Sequence, residues 1–187
     1  MATIYYTATS LDGYIATEDD SLEWLHALGS IDETSYGDFI ANVGALCMGA
    51  TTHEWMRGHA DEVIAAVGSA WPYTQPTWVF TSRHLSPIAP DADVRFVRGD
   101  VRPVHAEMLQ AAKGKDLWVV GGCDLAGQFH DAGLLDQVIV QVGSVTLGTG
   151  RPLFPRRVTQ PAWLLESVRQ MGAGMAELRY RIPRADS

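Results

Sequence analysis

Over its first two thirds the chain alternates short strand-like runs with helical patterns, and that alternation limits the available folds. "TIYYTATS" (3–10) is rich in β-branched and aromatic residues and reads as a strand. Its side chains alternate, with Ile4, Tyr6 and Ala8 on one face and Tyr5, Thr7 and Thr9 on the other. "GALCMGA" (44–50), "TWVFTS" (77–82), "DVRFV" (93–97), "DLWVV" (116–120) and "LDQVIVQVGSV" (135–145) read as further strands. Helical patterns lie between them at 32–43, from Thr51 or Thr52 as cap with Glu54 in the first turn, at 101–114 and at 124–131, with a short helix near "LEWLHAL". Strands that alternate with helices predict a mostly parallel sheet covered on both faces. Late in the chain, "AWLLESVRQ" and "AELRYRI" predict a closing antiparallel hairpin over "MGAGM".

A length of 187 residues suits one domain, 1–187, with a full core. The formal charge of −8 argues against nucleic acid as a partner, which would call for a basic patch. Small anions remain open to placed local donors. Cys47 and Cys123 form no metal-ligand spacing, and "HEWMRGH" is not HExxH, so no metal site is expected. His26, His84, His105 and His130 read as surface. The first residues lack a signal-peptide pattern, and no run is long enough for a membrane span. A cytoplasmic protein with a small-molecule substrate is the expectation.

Three strand ends carry the site hypothesis: "CMGATT" (47–52), "VFTSR" (79–83) and "VVGGCDL" (119–125). A helix N-terminus offers unpaired N–H groups and partial positive charge, and glycine permits close approach of a ligand. Neither GxGxxG nor GxxxxGK[ST] follows any strand, so the usual dinucleotide and P-loop fingerprints are not supported.

Together with "SLDGYIA" and "LLDQVIVQVGSVTLGTGRPLFP", these segments resemble, in order, the dihydrofolate-reductase-like family, in the branch of the riboflavin-biosynthesis reductase domain. The resemblance covers nearly the whole chain. It implies an α/β three-layer sandwich: a mostly parallel mixed sheet of about eight strands, flanking helices, a C-terminal antiparallel hairpin, and a cis Gly121–Gly122 peptide. It also implies NADPH as cofactor. Carried over by position, Gly49, Ala50, Thr51 and Thr52 lie at the pyrophosphate. Thr81, Ser82 and Arg83 flank the adenosine ribose and its phosphate. Gly121, Gly122, Cys123, Asp124, Leu125 and Ala126 form a second phosphate wall, and Ala8 and Ile15 line the nicotinamide. The family often has Arg where this chain has Ala50, and Arg83 is the candidate replacement.

Two acids are candidates for the chemistry, Asp12 in "SLDG" and Glu33 near the start of the first long helix. Asp12 before Gly13 also reads as a turn former, and Glu33 as a partner of the helix dipole. Tyr6, Trp24 and Tyr36 are candidate walls for a pterin-like or pyrimidine-like heterocycle, with Gly148 at its edge; core packing is the alternative for each aromatic. Three functions follow: an NADPH-dependent reductase, a reductase-like scaffold without turnover, and another phosphate-binding doubly wound domain. A homodimer through the late apolar strands is a further expectation.

Overall fold

A computed structural model describes residues 1–29 and 33–184. Asp32, the expected start of the first long helix, lies outside the described residues. The strands are β1 (Thr3–Ser10), β2 (Tyr14–Ala16), β3 (Val43–Gly49), β4 (Thr77–Phe80), β5 (Val94–Val97), β6 (Asp116–Gly121), β7 (Gln137–Gly143), β8 (Arg151–Pro152), β9 (Leu164–Met171) and β10 (Met175–Arg181). The helices are α1 (Glu23–His26), α2 (Tyr36–Ala41), α3 (Ala50–Gly58), α4 (Ala60–Val67), α5 (Val101–Ala111) and α6 (Cys123–Asp131).

Eight strands form one mixed sheet in the order β5-β4-β3-β6-β1-β7-β10-β9. The first six are parallel; β10 runs antiparallel to β7, and β9 antiparallel to β10, which is the expected hairpin. The carboxyl ends of β3, β4 and β6 therefore share one edge. The alternation read in β1 is observed. Tyr5 packs with Ala45, Cys47, Leu117 and Phe129 on the face under α5 and α6, whereas Ile4 and Tyr6 pack with Phe39, Leu46 and Trp118 under α2. A third cluster, Met48, Met56, Trp71 and Val79, fills the space under α3.

Several expectations are corrected. The first long helix shrinks to Tyr36–Ala41, because Val43 already belongs to β3. Gly49, not Thr51 or Thr52, occupies the cap position of α3, and no acid stands in that helix's first turn. α4 and the small β2–β8 pair were not anticipated; α4 continues a pattern broken only at His59, and β8 is two residues long. His105 and His130 are half-buried, not surface: the His105 Nε2 lies 2.8 Å from the Thr3 hydroxyl, and the His130 ring meets Phe154.

A buried polar network crosses the α2 face. Ala8, Gln141 and Glu177 fall in one row across β1, β7 and β10. Glu177 is fully buried, accepts a hydrogen bond from the Ser35 hydroxyl, and takes the Arg179 Nε at 2.8 Å. Gln141 Nε2 donates to the Tyr6 hydroxyl at 2.6 Å. These bonds fasten the segment leading into α2 onto the sheet. Removing one partner of a buried pair leaves the other uncompensated, so Glu177→Ala should lower unfolding free energy by about 3–5 kcal/mol. Glu177→Gln, which can still accept from Ser35, should cost less than half of that. Urea titration of both variants checks the ordering, and equal losses would contradict it.

Candidate functional site

The site begins where β3 and β6 end. Gly49 caps α3 (φ −80°, ψ 163°) and Gly122 caps α6 (φ −74°, ψ 178°), neither with a side-chain capping bond. The two caps are neighbours: a Cβ built on Gly49 would lie 3.5 Å from the Gly122 nitrogen. The first-turn N–H groups of both helices therefore open onto the same edge. The Gly121–Gly122 peptide is cis. Gly121 has φ +150°, which side-chain-bearing residues rarely adopt, and a Cβ there would meet the Thr52 hydroxyl at 3.3 Å. Gly122 differs: its φ is ordinary, and a Cβ there would have nothing within 4 Å.

In the proposed second phosphate wall, the Leu125 and Ala126 side chains point into the core. The Ala126 N–H bonds the Gly122 carbonyl at 3.3 Å, so the unspent amides of α6 are those of Cys123, Asp124 and Leu125. Asp124 carries the Arg156 guanidinium at 3.0 Å and the Gln128 amide at 2.8 Å, and these hold its carboxyl below the usual range, the Gln128 bond most strongly. Cys123 is a half-buried free thiol pushed up by desolvation.

Beyond β4 the chain makes a tight turn in which the Arg83 N–H donates to the Thr81 hydroxyl at 2.9 Å. The Thr81 N–H bonds Val97 on β5, and the next residue, Arg98, donates its guanidinium to the Ser82 carbonyl at 2.7 Å. The chain has twelve arginines. Eight of them hold a carboxylate within 4 Å, at positions 57, 95, 102, 151, 156, 179, 181 and 184. Among the described residues the other four, Arg83, Arg98, Arg157 and Arg169, hold none, and of these Arg83 and Arg98 sit together beyond the adjoining ends of β4 and β5. Arg83 is a candidate in the sequence and Arg98 is not; the available signal for Arg98 is an arginine directly after the "DVRFV" run.

Asp12 lies in the turn after β1 with both oxygens occupied. Ser10 Oγ donates at 2.5 Å, and the backbone N–H groups of Leu147 and Gly148 donate at 3.1 and 2.7 Å. The Ser10 hydroxyl and those amides hold its carboxyl below the usual range. Its geometry is that of a clasp joining the "SLDG" turn to the loop at Gly148. Glu33 is exposed and lies between Gly29 and Gly172, at the β9–β10 turn; a Cβ on Gly172 would fall 2.8 Å from its Oε2. Because β10 is the third strand from β6, Glu33 is not brought to the Gly121–Gly122 turn.

The aromatic candidates divide. Tyr6 is buried, with its ring stacked on Phe39 at 4.4 Å, so its ring is core. Tyr36 is half-buried at the edge of Trp118, and desolvation pushes its hydroxyl up to about 12. Trp24 stands over Gly143 at the carboxyl end of β7, its Nε1 unpartnered. Ala8 and Ile15 are half-buried on β1 and β2. Gln141 and Glu177 escaped sequence reasoning because single polar residues in alternating strands look like an outer face, and Ser35 because it is an ordinary-looking serine at the start of α2.

Among the described residues no group of three or more His, Cys, Asp or Glu side chains could hold a metal ion, and no helix is long and apolar enough to cross a membrane. Comparison with known proteins agrees with this architecture. The chain is 33% identical over 179 residues to YwjB of Bacillus subtilis (strain 168), across 95% of this chain and 96% of that protein. A putative riboflavin biosynthesis protein from Shewanella sp. PV-4 superposes with a TM-score of 0.78 at 25% identity, covering 98% of this chain and all of that one. The Thermotoga maritima diaminohydroxyphosphoribosylaminopyrimidine deaminase/5-amino-6-(5-phosphoribosylamino)uracil reductase superposes with a TM-score of 0.67 at 16% identity, over 96% of this chain and 56% of that one. The model of the RibD C-terminal domain matches residues 2–176, and the chain belongs to that family.

Proposed function

We propose that the protein is an NADPH-dependent reductase of a small heterocycle, pterin-like or pyrimidine-like. One observation carries the reading. Among the described residues, its two chain neighbours aside, no atom lies within 4 Å of where a side chain at 122 would begin, and its φ is ordinary, yet it is glycine beside two uncapped helix ends. A ligand packed on that turn supplies the exclusion.

In this reading the amides of Ala50, Thr51 and Thr52 face those of Cys123, Asp124 and Leu125 across the pyrophosphate. Arg83 and Arg98 grip the 2′-phosphate and take over the charge that Ala50 lacks. Ala8 and Ile15 bound the nicotinamide, and Trp24 and Tyr36 wall the heterocycle. NADPH supplies the hydride, and the protein orients both molecules and excludes water. The reductase name of the Thermotoga maritima neighbour agrees with a pyrimidine-like substrate. A homodimer belongs to the same proposal, with exposed Leu164, Leu165 and Val168 on edge strand β9 as its contact face.

A second reading, binding without turnover, is favoured by one finding: Asp12 is occupied by three donors and Glu33 lies away from the glycine turn. Titration with NADPH, followed by an assay of its oxidation with reducible pterins and pyrimidines, separates the two.

Gly122→Val should stay folded and lose NADPH affinity at least about tenfold, equivalent to ~1.4 kcal/mol. Gly121→Val should lose stability as well, because its φ excludes a branched side chain. Calorimetric binding and thermal melting of both variants check this; parent-like NADPH binding by folded Gly122→Val would remove the glycine turn from the site. Arg83→Ala and Arg98→Ala should each weaken NADPH about tenfold and NADH less than about twofold, since only NADPH carries the phosphate. Equal losses for both cofactors would place the phosphate elsewhere.

A further inference from the structure

His53 is the fourth residue of α3, one turn from the Gly49 cap, and it is fully buried. Its ring lies edge-on to Phe96 at 5.4 Å and 6.1 Å from Trp71, both part of the apolar cluster under the helix. Nε2 has no hydrogen-bond partner, and Nδ1 has only Glu54 Oε1, at 3.4 Å. The charged groups near it, Glu54 and Arg57, belong to its own helix. Met48, Met56, Val79, Trp71 and Phe96 in the cluster do not titrate. Tyr73, which packs on Trp71, is held protonated by burial. A neutral imidazole can fill this apolar space, but an imidazolium would bring in a buried charge that Glu54 meets only at 3.4 Å on the Nδ1 side, with its Nε2–H left unpaired among apolar rings.

We propose that His53 is a proton-operated latch: neutral, it seats the first turn of α3 on the sheet, and protonated, it lifts that turn away from the Gly121–Gly122 edge. Burial holds the imidazole below its ordinary range. A lifted turn restores the ordinary value near 6.5, so the open form binds the extra proton. Closure is therefore unaffected by pH above about 6.5 and weakens as pH falls below it, by up to about tenfold per pH unit for a single proton. The latch itself needs no cofactor. Its consequence for NADPH, weaker binding in acid, rests on the proposed function.

Amide hydrogen exchange at pH 7.5 and pH 5.5, corrected for intrinsic rates, tests the latch. Protection of the α3 amides at 54–57 should fall severalfold, up to about tenfold, in acid, while that of the β6 amides holds. In His53→Met, or in His53→Leu should the first variant fold poorly, the α3 amides should keep their protection. The same fall in the variant, or no fall in the parent, overturns the proposal. Parallel titrations with NADPH and NADH read the consequence; NADH is included because the 2′-phosphate itself titrates near pH 6. Absence of binding at either pH would fail the proposed function alone, and the exchange result would still decide the latch.

Discussion

The parallel pairing of β3 with β6 sets the geometry of the whole carboxyl edge. Their register runs Leu46 opposite Trp118 and Cys47 opposite Val119, then skips so that Met48 faces Gly121. The skipped residue, Val120, draws the end of β6 toward Gly49. The two helices that follow must then start side by side, with N–H groups left unbonded by any side chain. A Cβ at 121 would press on Thr52, so glycine there belongs to the fold. At 122 no described residue other than its chain neighbours comes within 4 Å of a Cβ, and that contrast supports a ligand-facing turn.

Charge is arranged around this edge in a consistent way. The chain is strongly acidic, and most of its arginines are committed to carboxylates. Of the four exceptions, the two at 83 and 98 are braced by their own turn, one by its backbone N–H on the Thr81 hydroxyl and one by its guanidinium on the Ser82 carbonyl. By contrast, the carboxylates at the opposite end of the site are engaged in structure. Asp12 clasps the loop at Gly148, and Glu177 anchors Ser35 and Arg179. Hydride chemistry carried by a cofactor suits a site with few free acids, because the protein's share of such a reaction is mostly orientation.

Strand order and helix order were legible because the alternation of β1 and the apolar runs of β3, β6 and β7 have strong local signals. Motif order identified the family before any geometry was known. Local pattern failed where tertiary contact decides. The two residues of β8 exist only because β2 lies opposite, and α3 begins at a bare Gly49 and not at a threonine cap. Glu177 reads as an outward-facing residue until α2 covers it, and Arg98 gains meaning only when β5 pairs with β4. Asp12 is a candidate in the sequence, but a motif cannot reveal that both its oxygens are already bonded.

The account stands on the paired helix ends as the pyrophosphate cradle. The most direct measurement is an amide-resolved NMR titration of the uniformly 15N-labelled protein with NADPH. The account predicts the largest shifts at the amides of Ala50, Thr51 and Thr52 and of Cys123, Asp124 and Leu125, saturating together at one affinity. Binding that leaves those six amides unmoved while others shift would contradict it.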